Sequence, residues 1–190
     1  IGMFLEGNEP VSWRGPMLHK AIEQFLTDVY WGSLDFLIVD LPPGTGDVSI
    51  SLGQLLPNAK VLVVTTADTD SATVAVRSAL ASAKAGQEII GVIENLSWIE
   101  SASGEKTALL GSGGGQKVAA EIEAVTGKPA PLLVQIPLSL GAAEHQGSGT
   151  PLIMQSIEEP TLKALNALVE QVAEIKLDQS ARTLNVKLSE

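Results

Sequence analysis

Apolar residues along this chain recur in two rhythms. Short, largely apolar runs stand at 36–39, 61–64, 89–93 and 132–136, the last interrupted only by Gln135, and each is ended by a polar residue or a proline. Between them the apolar positions follow helical spacing. Met17, Leu18, Ala21, Ile22, Phe25, Leu26 and Val29 form one stripe, and Val118, Ala119, Ile122 and Val125 another. Such runs of four or five predict strands covered on both faces, as in a parallel sheet flanked by helices. Strand and helix signals alternate with short links, so the pattern predicts an α/β fold with a mainly parallel sheet and helices on both faces.

Local signals sharpen the boundaries. Pro16 suits the first turn of the first helix, and Gly32 closes that segment. Asp68 or Asp70 is placed to cap a helix over about 70–85 that stops at Gly86. The polar, glycine-rich stretch 97–115 reads as a long loop before a helix at 116–126. Pro137 is expected to stop the strand before it, and a last amphipathic helix should cover 161–175, begun near Pro160. Residues 1–5 read as a short strand, and Leu184, Val186 and Leu188 alternate as in an edge strand or a tail. The expected organisation is one domain over 1–175 followed by a tail over 176–190, with no linker, repeat or low-complexity tract.

The 190 residues, 45% of them hydrophobic, suffice for one α/β core but not for two. No window is apolar over the length of a membrane span and no secretory signal is visible, so a cytoplasmic protein is expected. With 12 basic against 22 acidic residues the net charge is −10, and no basic cluster stands out. That opposes nucleic-acid binding, which depends on Lys and Arg neutralising phosphates. Cysteine is absent, so this chain forms no disulfide and offers no thiolate to a metal.

Candidate chemistry concentrates in Val39-Asp40-Leu41-Pro42-Pro43-Gly44-Thr45-Gly46-Asp47. An acid at the carboxyl end of a buried parallel strand sits where such sheets bind ligands. A glycine turn beside it brings backbone N–H groups close, which suits a magnesium–phosphate site. A strand-end aspartate capping a turn is the competing reading. The strand ends at Asp40, Thr65-Thr66, Asn95 and Pro137 are expected to share one rim of the sheet. Asp47 equally suits a helix cap and Asn95 a partner for strand-end backbone groups. The run Gly111-Ser112-Gly113-Gly114-Gly115 reads either as an anion-binding nest or as a flexible helix start, and no Lys-Ser or Lys-Thr follows it. Arg14 suits a nucleotide, a second subunit or a solvated helix start; His19 and His145 stand alone and are given no role.

Six strings together resemble the Mrp/ApbC family of P-loop ATPases, relatives of the MinD-type ATPases. They are Trp-Arg-Gly-Pro-Met (13–17), the 39–47 block, Val-Val-Thr-Thr (63–66), Glu-Asn-Leu-Ser (94–97), Gly-Ser-Gly-Gly-Gly (111–115) and Ile-Pro-Leu (136–138). The resemblance runs in order over about 1–155. It implies that Asp40 is the Walker B acid, holding Mg²⁺ through water, and that Pro43 to Asp47 is the switch II segment. Gly44 and Gly46 would approach the γ-phosphate, and Asp47 would orient water or relay its presence. Asn95, Pro137 and Leu138 would lie about the adenine. It further implies ATP and Mg²⁺ as ligands, a homodimer closing around nucleotide, and a role in iron–sulfur cluster assembly or carriage with acceptor proteins as partners.

Two departures qualify that implication. The family's Lys- and Gly-rich Walker A loop is absent from these residues, so it is expected upstream of Ile1 in a longer natural protein. Family members often carry Cys-x-x-Cys where this chain has Trp98-Ile99-Glu100-Ser101-Ala102-Ser103-Gly104-Glu105. Serine and glutamate are poor ligands for iron in a cluster. The leading expectation is therefore an ATPase of this type. A nucleotide-dependent scaffold or partitioning-like switch without a cluster is the alternative, and a fragment that only associates is a third.

Overall fold

The computed structural model describes residues 15–42, 44–101, 103–139, 151, 154 and 160–175. Five helices and four strands are present among them: α1 (Gly15–Thr27), α2 (Asp47–Leu55), β1 (Lys60–Thr66), α3 (Thr69–Lys84), β2 (Glu88–Glu100), β3 (Lys106–Thr107), α4 (Gly114–Thr126), β4 (Leu132–Leu138) and α5 (Pro160–Glu174). Strand β2 is central. It pairs in parallel with β1 on one side and β4 on the other, while its far end turns back antiparallel against β3. The fold is α/β with a mostly parallel sheet, as the alternation of rhythms implied. The expected strand at 1–5 and the tail over 176–190 lie outside the described residues.

The core forms where α3 and α4 cross β1 and β2. Val63, Ile89 and Val92 from the strands meet Ala72, Ala75, Val76 and Ala79 of α3 and Val118 and Ile122 of α4. The alanines recur at helical spacing on α3, so one face of that helix is smooth and lies close to its neighbours. Four consecutive buried residues, Gly91, Val92, Ile93 and Glu94, show that β2 is covered on both faces. Coverage is one-sided at β1: Val63 is 7% exposed, yet its neighbour Val64, pointing the other way, is 58% exposed. Helix α5 lies along β4, where the Thr161 hydroxyl donates to the Pro137 carbonyl at 3.0 Å and the Gln171 amide to that of Leu133 at 3.3 Å.

Several expectations are corrected. Residues 36–39 do not form a buried strand: they are without regular secondary structure, and Ile38 is 90% exposed. An apolar run becomes a strand only when a neighbour takes its N–H and C=O groups, and none does so among the described residues. Nor is 97–115 a continuous loop. β2 runs on to Glu100 because Ile99 and Glu100 find partners in Thr107 and Lys106, and the Lys106 ammonium covers the Trp98 ring at 4.3 Å. Pro137 does not end β4, which continues to Leu138. A proline is tolerated because, among the described residues, β4 pairs with β2 alone, so no second neighbour there asks for the missing N–H. The stripe on α1 is helical but buries none of its residues, and Val29 falls beyond the helix end.

Val125 also departs from its stripe: it is 67% exposed, whereas Ile122, one turn earlier, is 1% exposed. Replacing Ile122 by Ala should cost about 2–5 kcal/mol through lost burial and an unfilled cavity. Val125→Ala should stay within about 0.5 kcal/mol. Urea unfolding of both variants checks this, and equal destabilisation would contradict the burial pattern.

Candidate functional site

At the carboxyl end of the parallel strands, Thr66, Asn95 and Ile136 stand in register across β1, β2 and β4. Two of the four expected rim positions, Thr66 and Asn95, are therefore brought together, and the third, Pro137, follows Ile136 directly. The rim is built from chemistry on either side of each strand end. Past β1 the chain enters α3 through Asp68, whose Oδ1 accepts from the N–H groups of Asp70 at 3.1 Å and Ser71 at 2.8 Å. The Thr66 hydroxyl donates to the other oxygen. Bonds from the Ser71 N–H, then from Thr66, stabilise the charged form and lower the Asp68 carboxyl from 3.8 to about 2. Of the two capping candidates, Asp68 is the cap and Asp70 lies in the first turn.

Past β2 the geometry is tighter. Asn95 is half-buried, and its Oδ1 accepts from the N–H of Leu96 at 2.9 Å. Leu96 has φ 55°, a left-handed conformation that costs a side-chain-bearing residue on the order of 1–3 kcal/mol. The β2–β4 register is lost between Asn95 and Ile99, so residues 96–98 form an irregular bulge at the ligand-facing end. Pro137 is buried against α5 through its carbonyl, and Leu138 is half-buried opposite Ile99.

Glu94, just before Asn95, is the residue the sequence reading passed over. It is 1% exposed, and its carboxylate accepts from the Gly115 N–H and from the Gln135 amide, each at 2.7 Å. The signal was available: an acid within an apolar strand needs buried donors. The glycine run follows from the same packing. A Cβ on Gly114 would lie 2.4 Å from the Thr66 carbonyl oxygen, and one on Gly115 would lie 2.9 Å from the Glu94 Cβ. Gly113, at φ 86°, begins α4 with no side-chain cap. The run 111–115 is thus a close-packed helix start whose Gly115 N–H is taken by a protein carboxylate, which removes that donor from an anion nest.

The second half of the expected site is not joined to this rim. Asp40 is exposed and lies outside every strand, so it does not emerge from a strand tip as expected. Among the described residues no hydrogen bond or ion pair links it to Thr66, Asn95 or Pro137. The turn itself is formed: Gly44 has φ 91°, open to glycine, and its carbonyl accepts from the Ser49 hydroxyl at 3.5 Å. Gly46 is the N-cap of α2 and makes no side-chain cap bond, while Asp47 is the first helical residue. Asp47 therefore favours the helix dipole rather than capping it. Pro43 and Arg14 lie outside the described residues, as does His145; His19 is half-buried on α1. Among the described residues no three His, Cys, Asp or Glu side chains gather as a metal site.

Comparison with known proteins places this arrangement. A family profile described as ParA, NUBPL iron-transfer P-loop NTPase, matches residues 1–173. The chain is 48% identical over 165 residues to an iron-sulfur cluster carrier protein of Mycobacterium leprae, covering 87% of this chain and 43% of that protein. A protein of the same description from Synechocystis is 39% identical over 175 residues, covering 91% of this chain and 48% of the relative. The chain thus spans about half the length of the curated relatives it matches. Among solved structures, a nucleotide-binding protein from Archaeoglobus fulgidus in complex with ADP superposes with a TM-score of 0.55 at 27% identity, over 67% of this chain and 51% of that one. The septum site-determining protein MinD from Pyrococcus horikoshii, complexed with Mg-ADP, has a TM-score of 0.58 at 21% identity, over 85% of this chain and 57% of that one, and shares the fold.

The Asp68 cap yields a test with a definite sign. A carboxyl lowered in the folded state contributes stability above its unfolded value near 3.8 and loses it as pH falls toward about 2. Asp68→Ala should therefore melt below the parent at pH 7, and the gap should narrow as melts are repeated at pH 4 and pH 2. Identical melting at pH 7 would show that the cap contributes nothing.

Proposed function

The chain belongs to the ParA family of iron-transfer P-loop NTPases, and from that membership we propose that it forms part of a nucleotide-hydrolysing protein that handles iron–sulfur clusters. The observation that carries the reading is the register of Thr66, Asn95 and Ile136. It sets a half-buried asparagine at the last level where three strands keep regular parallel register, toward the carboxyl side on which open α/β sheets take ligands. Asn95, with Pro137 and Leu138 on the adjoining strand, forms the base-facing wall, and its amide can exchange hydrogen bonds with an adenine edge.

The phosphate side would be held by the 40–47 segment. Gly44 and Gly46 let backbone approach the γ-phosphate, and the start of α2, with no side-chain cap, offers N–H groups to an anion. Asp40 and Asp47 add negative charge there, which is compatible with a triphosphate only when a divalent cation lies between. Asp40 is assigned to Mg²⁺ and Asp47 to the attacking water. When bound, the nucleotide supplies a phosphoryl group to water, and the chain's own residues position the cation and the attacking water. The lysine-bearing loop for the β- and γ-phosphates is not among these residues and is assigned to another part of the natural protein. A homodimer in the cytoplasm, acting on iron–sulfur acceptor proteins, completes the proposal.

The cluster is cargo, and this chain does not supply its usual ligands. Cysteine is absent, and the segment where the family often carries a pair runs into the β2–β3 turn. That observation supports a second reading: a nucleotide-timed scaffold or partitioning-like switch that carries no cluster. Anaerobic reconstitution of the full-length protein with iron and sulfide separates the two. A stable cluster absorption band establishes carriage, and its absence favours the scaffold.

For the nucleotide site, Asp40→Ala in the full-length protein should lower Mg²⁺-dependent ATP hydrolysis by roughly 10²–10³-fold, the scale for losing one preorganised electrostatic contact. Asn95→Ala should weaken ATP binding by about tenfold, the worth of roughly one hydrogen bond, with little change in kcat. Undiminished hydrolysis by the first variant, or unchanged ATP affinity in the second, would remove the corresponding assignment.

A further inference from the structure

We propose that Glu94 is a positioning residue for Asn95: its buried carboxylate clamps the start of α4 and strand β4 to β2 one residue before its regular register ends, and so holds the bulge that aims the Asn95 amide. The proposal rests on the base-facing role assigned to Asn95, but the clamp is visible without it. Glu94 Oε2 accepts from the Gly115 N–H and Oε1 from Gln135 Nε2, both at 2.7 Å. Its own carbonyl accepts from the Ser97 hydroxyl at 3.0 Å, which closes the bulge from the other side. Helix, neighbouring strand and bulge therefore all converge on one residue, next in sequence to Asn95.

The physical need for such a clamp is the backbone that follows. Leu96 sits at φ 55°, a conformation that a leucine abandons unless its surroundings impose it. Two bonds impose it locally: Leu96 N–H to Asn95 Oδ1, and Ser97 Oγ to the Glu94 carbonyl. Both are accepted by residues 94 and 95, so they constrain Leu96 only if those residues are themselves immobile. Glu94 supplies that immobility from below, where solvent cannot compete. Because Oδ1 of Asn95 accepts the Leu96 N–H, the amide NH₂ is the group turned toward a ligand. Loss of the clamp lets Leu96 relax and the amide swing away.

Truncation to Glu94→Ala strands two buried donors, whereas Glu94→Gln keeps an oxygen for Gly115 and offers its NH₂ to a turned Gln135 amide. The full-length protein is examined by hydrogen exchange of single amides and by ATP affinity. Glu94→Ala should speed exchange at Leu96 at least tenfold while Ile122 on α4 keeps its parental protection, and should weaken ATP binding to the level of Asn95→Ala. Adding Asn95→Ala to Glu94→Ala should produce no further loss, and Glu94→Gln should restore both readouts to within about twofold. Should Glu94→Ala not fold, Glu94→Asp withdraws the carboxylate by one methylene and should move Leu96 exchange in the same direction. Unchanged Leu96 exchange in whichever variant folds overturns the clamp, whatever the nucleotide does. Faster Leu96 exchange with ATP affinity unaltered by Asn95→Ala keeps the clamp and removes the base-facing reading instead. General loss of protection, Ile122 included, reduces Glu94 to a structural acid and overturns the proposal.

Discussion

Parallel pairing of β2 between β1 and β4 is the constraint on which the rest depends. It places Thr66, Asn95 and Ile136 at one level, so that a ligand-facing rim exists at all. It also sandwiches residues 91–94 so completely that an acid among them must find its partners inside the protein. Glu94 finds them in a helix start and a neighbouring strand, and through them ties the core to the rim. Packing and candidate chemistry are thus joined at one residue rather than lying in separate parts of the molecule.

The two halves of the expected site differ in how far the described residues complete them. The half expected to face the base is built from strands with neighbours. The half expected to face phosphate has its turn and its helix start but, among the described residues, no sheet beneath it. Residues 36–39 are as apolar as any strand in the chain, yet they are exposed, and the outward face of β1 at Val64 is open as well. Apolar composition sets what a segment can bury; hydrogen-bond partners and a covering layer determine whether it does.

Family membership and chemistry bear on different parts of function. Membership gives the fold and the nucleotide-linked class. The absence of cysteine separates this chain's own side chains from direct ligation of a cluster in the usual way, because oxygen donors do not replace thiolates on iron. The β2–β3 turn that stands in that region is held instead by strand pairing and by a lysine over the Trp98 ring.

By itself the sequence determined the α/β class, the α3 and α4 helices with their stops, the strands at 61–64, 89–93 and 132–136, and a helix cap at Asp68 or Asp70. Those features rest on periodicity and short-range chemistry, which a chain carries wherever it goes. It also showed which residues could bear the chemistry, because the motif from Val39 to Asp47 and Asn95 are local strings. Tertiary structure alone decided that 36–39 finds no strand partner among the described residues, that β2 runs on through a strained bulge to meet β3, and that Pro137 lies within β4. It alone turned the glycine run at 111–115 into a docking point for Glu94. Each of these depends on what a distant part of the chain supplies as a hydrogen-bond partner or a packing surface, and no local pattern encodes that supply.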